Sequence, residues 1–177
     1  MAVSVVAGRK FARRNGSRGW HPMEVGVYKN ILVPVDGSDT AAAALQEAIR
    51  LAHSESAVLR IVYVADYAAP AWEFEFTPIG LEQIQESVRS FAHAVLEKAQ
   101  RVAREGAINA ETRILEIQKP GQRIAKMIAE QAREWPADLI VIGTHGRRGL
   151  DHLLLGSVAE GVMRLSPVPV LLVRGHS

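Results

Sequence analysis

The 177-residue sequence has no cysteine, which excludes a disulfide framework, a cysteine metal site and a thiol nucleophile. No apolar run approaches the ~18 to 20 residues of a membrane span. Acidic residues are missing from positions 1–22, where Arg9, Lys10, Arg13, Arg14 and Arg18 stand. Familiar phosphate fingerprints are missing too. No G-x-x-x-x-G-K-[ST] occurs, and the first strand-to-helix turn reads Asp36-Gly37-Ser38-Asp39 rather than G-x-G-x-x-G, which excludes a Walker loop and argues against a nicotinamide Rossmann site. Aromatic residues make up only 6% of the chain, yet four of them, Tyr67, Trp72, Phe74 and Phe76, fall within residues 67–76. That stretch reads first as a loop or short strand packing one face on the domain, and second as a lid or partner surface.

The acid-free start sets the charge balance. The whole chain carries 21 basic and 19 acidic residues, a net of +2; without residues 1–22 the balance is 16 against 19, or −3. The basic character belongs to the tail, so a nucleic-acid reading of the whole chain is weak and no specific nucleic acid or membrane partner is expected. The tail has no sustained period. Its short apolar part precedes its charges, the wrong order for a secretory signal, and no apolar stretch follows Arg13-Arg14 as a twin-arginine signal needs. Residues 1–27 are read as a disordered extension, with Met23 as an alternative start, and 28–177 as one domain. With no cysteine and no span, a cytoplasmic location is expected.

What is present is a regular alternation. Hydrophobic residues make up 48% of the chain, enough for one sizeable core. "NILVPV" (30–35), "AVLRIVYVA" (57–65), "AETRILEI" (110–117), "ADLIVIG" (137–143) and "VPVLLVR" (168–174) read as strands, several of them apolar on both faces. Between them lie helices expected at 40–53, 81–105, from Pro120-Gly121 to the Pro136 stop, and Ser157–Leu165. Strand and helix in alternation mean a parallel sheet covered on both faces. In such sheets ligands bind beyond the carboxyl ends of the strands where the strand order reverses. The loops after strands one and four are therefore the ones to examine.

The loop after strand four is "GTHGRRGLDHLLLGS", holding Gly143, Gly146, Gly149 and Gly156. A glycine-rich turn running into a helix start brings bare backbone N–H groups up to a phosphate. Ser157-x-x-Glu160 also has the form of a capping box, so Ser157 could cap the helix, contact a phosphate, or do both. Asp36 fits a turn former as well as a ligand contact. His145 fits a solvated loop residue as well as a ribose or phosphate contact. Arg147 and Arg148 read as solvated charges able to raise local anion affinity.

Gly143-x2-Gly146-x9-Gly156-Ser157, with "NILVPVDGS" before it and "PVPVLLVR" after it, resembles the universal stress protein family in its nucleotide-binding branch, over about residues 28–174. The resemblance implies a five-stranded sheet in the order 3-2-1-4-5, ATP with Mg²⁺ across the ends of strands one and four, and a homodimer through 168–174. It implies adenine framed by Pro34 and Val64, with Asp36 near the ribose or the metal-bound phosphates. Gly143, His145 and Gly146 would wrap ribose and phosphate. Gly156, Ser157 and Val158 would hold phosphates, and Val35, Ile142 and Gly149 complete the set. Ala159 lacks a hydroxyl common there, and Gln118 replaces a glycine common after strand three. With no constellation for covalent catalysis, the chain reads as a nucleotide-dependent stress-response switch or binding module. The alternatives are an interaction module without nucleotide and a slow ATPase.

Overall fold

The computed structural model describes residues 27–67, 80–119, 121–145 and 155–175. In chain order the elements are β1 (Asn30–Pro34), α1 (Asp39–Glu55), β2 (Val58–Asp66), α2 (Leu81–Glu105), β3 (Glu111–Ile117), α3 (Ile124–Glu134), β4 (Leu139–Gly143), α4 (Ser157–Leu165) and β5 (Val170–Val173). The strands form one parallel sheet in the order β3-β2-β1-β4-β5. This is the single α/β domain expected from the alternation, with the expected strand order. The tail to residue 26, the aromatic stretch from 68 to 76, Pro120, and the loop residues Gly146, Arg147, Arg148 and Gly149 lie outside the described residues.

The doubly apolar strands bury both faces. On one face Ile31, Val33, Leu59, Ile61, Leu139 and Val141 meet α1 and α2. On the other, Leu32, Val62, Ile140 and Ile142 meet α3 and α4. Alanines 41, 44, 48 and 52 line the buried stripe of α1, and their small side chains let that helix lie close to the sheet.

Element ends differ from the periodicity by one to four residues, each for a local reason. Helix α1 runs to Glu55 because Ser56 closes it in the left-handed region, its N–H bonding the Ala52 carbonyl. Helix α3 begins at Ile124, not at Gly121, whose φ of +85° is not helical. Strand β4 begins at Leu139, just after the turn that closes α3 and after the first bond to β1, from Asp138 N–H to the Asn30 carbonyl at 2.9 Å. Ala137 N–H bonds the Ala132 carbonyl at 3.0 Å. The Asp138 carboxylate accepts from Lys29 N–H at 2.9 Å and Asn30 N–H at 3.2 Å. Glu55 accepts the N–H groups of Val27 and Tyr28 in the same way. Two carboxylates thus fasten the chain where it enters the central strand. Nearby, Arg60 stacks 4.4 Å over the Trp135 ring and pairs with Glu111, tying β2, β3 and the end of α3 together at the same end of the sheet.

Candidate functional site

The site lies at the other end, where β1 and β4 part. Asn30 carbonyl accepts from Asp138 on the β4 side, whereas Lys29 carbonyl and Val35 N–H bond Val58 and Val62 on the β2 side. Even-numbered residues of β1 therefore direct their backbone groups at β4. Pro34 is one of them and has no N–H to give. The β1–β4 register runs Ile31↔Leu139 and Leu32↔Ile140 and stops there, while β1–β2 pairing continues to Pro34↔Val62. A proline in a central strand thus opens a crevice between two neighbours in a parallel sheet.

Beyond Pro34 the chain makes a polar turn. Asp36 Oδ1 accepts from Ser38 N–H at 3.0 Å and from the Ser38 hydroxyl at 2.6 Å. Ser38 caps α1, its Oγ accepting from Ala41 N–H at 3.2 Å. Gly37, between them, has φ +87°, a conformation that L side chains rarely adopt. The Thr40 hydroxyl donates to the His145 carbonyl across the crevice. Thr144, 8% exposed, lies with its hydroxyl 3.1 Å from His145 Nδ1. Its N–H bonds the Val173 carbonyl and its carbonyl accepts Gly156 N–H at 2.8 Å.

The structure brings Asp36, Gly143, His145, Gly156, Ser157 and Val158 to this end of the sheet. Val35 and Ile142 are buried beneath it on opposite faces, and Val64 is half-buried on the α3/α4 face. Three residues read differently from their sequence context. Ser157 is not the cap: Gly156 is, with φ −63° and ψ 146°, and no side chain caps α4. The helical ladder starts at Glu160 N–H on the Gly156 carbonyl, so the N–H groups of Ser157, Val158 and Ala159 precede it. Gly156 N–H is already spent on Thr144. Gly143 has a packing reason of its own, since a Cβ there would lie 2.8 Å from Thr40 C and O. His145 is held through both carbonyl and ring rather than being a loose loop residue.

Ser38, Thr40 and Thr144 join the site as positioning residues that sequence reasoning missed. For Ser38 the signal was present, a serine just before a helical pattern. On the β2 side, the buried Tyr67 hydroxyl lies beside the Arg89 guanidinium. Its pull, with Glu86 behind it, raises the Arg89 pKa. Among the described residues no group of three or more His, Asp or Glu could hold a metal ion. A divalent cation here would need phosphate oxygens beside Asp36.

A doubly wound parallel sheet with a polar crevice at its topological switch point defines the class. Residues 27–174 match the universal stress protein family, and the chain belongs to that family. It is 35% identical over 155 residues to universal stress protein MJ0531 of Methanocaldococcus jannaschii, covering 84% of this chain and 83% of that one. Among solved structures it resembles UspA from Lactobacillus plantarum (30% identity, TM-score 0.69, 83% and 98% of the two chains). It also resembles a universal stress protein in complex with cAMP (28%, 0.59, 84% and 98%). A third likeness is to one from Archaeoglobus fulgidus in complex with dAMP (25%, 0.60, 83% and 98%).

Proposed function

We propose that this chain binds an adenine nucleotide, ATP with Mg²⁺ in first place, across the ends of β1 and β4, and serves as a nucleotide-dependent switch. The observation that carries the reading is the crevice opened at Pro34. It is walled by the Asp36–Ser38–Thr40 turn and His145, and faced by a helix start that no side chain caps. Uncapped N–H groups at a helix N-terminus suit phosphate oxygens. The two similar proteins bound to cAMP and dAMP support an adenine ligand in general.

In this reading Pro34 and Val64 border the base, Asp36 and Gly143 the ribose, and Ser157 and Val158 supply phosphate contacts. The Ser157 hydroxyl, not used in capping, can donate to phosphate. A bound Mg²⁺ would offset charge on the phosphates beside Asp36. Gly146, Arg147, Arg148 and Gly149 belong to the proposed phosphate loop through their place in the motif. Hydrolysis is expected to be slow, because rapid phosphoryl transfer needs a positioned water and charge stabilisation together, and His145 already holds Thr144 with its ring.

Mass spectrometry of small molecules released from the purified, denatured protein tests the ligand class; an adenine nucleotide is the expected release. Calorimetry on Gly156→Asp tests the place, since a carboxylate beside the phosphates should weaken ATP binding at least tenfold. Equal affinity in a folded variant would overturn the assignment.

A further inference from the structure

The edge strand β3 carries a second feature, independent of the nucleotide reading. Among the described residues β3 pairs only with β2, so its outer backbone groups have no ladder. A groove runs along each face of this edge. On the α3 side, a cavity of about 330 Å³ is lined by Arg113, Leu115 and a helical stripe of Met127, Glu130, Gln131 and Glu134. On the α2 side, one of about 370 Å³ is lined by His93, Leu96, Glu97, Gln100 and Ile114.

Gln131 is the informative residue. It is 2% exposed, and neither its Nε2 nor its Oε1 meets a hydrogen-bond partner. An orphaned buried amide is rare in a native fold. This one lines the α3-side groove beside Glu130 and Glu134. A primary amide presents donor and acceptor in one plane, the complement of a peptide group.

We infer that the β3 edge is a docking site for an extended, basic segment of a partner protein, added to the sheet as a sixth strand. Side chains of an added strand alternate between the two faces, and the two grooves flank the same residues, Arg113 and Ile114. The α3 groove, with the carboxylates of Glu116, Glu130 and Glu134 against the Arg113 guanidinium, takes basic residues, and its Gln131 amide takes a peptide group of the added strand. The α2 groove, floored by Leu96 and Ile114, takes apolar ones. Charges at Glu111, Arg113 and Glu116 discourage pairing with an apolar edge and leave a complementary segment preferred.

The probe is a capped hexapeptide, acetyl-Arg-Val-Arg-Val-Arg-Val-amide, titrated into the ¹⁵N-labelled full chain. Shifts confined to 93–100, 111–117 and 127–134 are expected. N-methylation at alternate peptide nitrogens, or replacement of Arg by Glu, should abolish them. The double variant Glu130→Lys/Glu134→Lys should weaken binding at least tenfold. Gln131→Leu, which keeps the side-chain volume, should weaken it about fivefold to tenfold, the equivalent of one buried hydrogen bond. Shifts elsewhere, unchanged affinity in these variants, or binding that survives N-methylation would overturn the proposal. So would slow exchange of the outer β3 amides before peptide is added, whether from a second copy or from residues 1–26 or 68–79 of the same chain.

Discussion

Thr40 donates its hydroxyl to the carbonyl of His145, 105 residues further along the chain. That bond spans the crevice between β1 and β4 and sets the distance between its walls. In Thr40→Val, a near-isostere, the carbonyl loses its partner. Stability should fall by about 1 kcal/mol, read by urea titration. ATP affinity should fall about fivefold, as a loss of that size in placing the walls implies, read by calorimetry. An unchanged affinity would detach the crossing from ligand binding.

Gly143→Ala should be more costly than an ordinary glycine replacement. The new methyl would sit 2.8 Å from backbone atoms of Thr40, and backbone at a helix start yields little. A loss of about 1–3 kcal/mol is expected, with the thermal midpoint as the readout. A midpoint within a degree of wild type would show that α1 can slide on the sheet.

Gln131→Leu should hold or raise stability, by up to about 1 kcal/mol, because an unpaired buried amide is replaced by an apolar side chain of similar volume. Calorimetric melting checks this. A fall of several degrees would mean the amide has partners in solution.

Asp138→Ala should destabilise by about 2 kcal/mol, since its carboxylate accepts two consecutive N–H groups at the start of the central strand. Hydrogen exchange should rise first at Lys29 and Asn30. Uniform acceleration across the domain would place the loss elsewhere.

A homodimer through β5 is proposed from the half-exposed apolar residues Val170, Leu171, Leu172 and Val173 at the sheet edge. Leu171 and Val173 pack against the core on the α1 face, so lysines there would threaten the fold itself. Leu172→Pro is the cleaner probe. Ile140 N–H bonds Pro169 carbonyl and Thr144 N–H bonds Val173 carbonyl, so odd positions of β5 face β4 and Leu172 N–H points outward. Proline there removes an outer donor and should yield monomers in sedimentation with an unchanged circular dichroism spectrum. A monomeric wild type at micromolar concentration would refute the dimer.

Much of the fold was legible because the strands are buried on both faces and read as unbroken apolar runs, and because α2 repeats its pattern over 25 residues. The helix start at Ser157 was legible, whereas its cap was not. Ser-x-x-Glu fits a capping box with Ser157 as the cap, but that place is taken by Gly156, extended and fixed by its bond to Thr144. That bond depends on a loop closing on itself, which no local pattern reveals. The same holds for Thr40 and His145, which meet only because parallel connections return both to one end of the sheet. Pro34 was legible as a strand residue, whereas its direction toward β4 required the register.

The Thr40 side chain also governs which sequence drift this site can absorb. A Cβ on Gly175 would meet Thr40 Cγ2 at 2.8 Å, whereas one on Gly143 would meet Thr40 backbone. Thr40→Ser removes the methyl that blocks the other position, so Thr40→Ser and Gly175→Ala are compatible when made together. No substitution of Thr40 relieves the conflict at Gly143. The two glycines that touch one threonine therefore differ in kind: one can change in step with its neighbour, and the other is fixed by the path of the main chain.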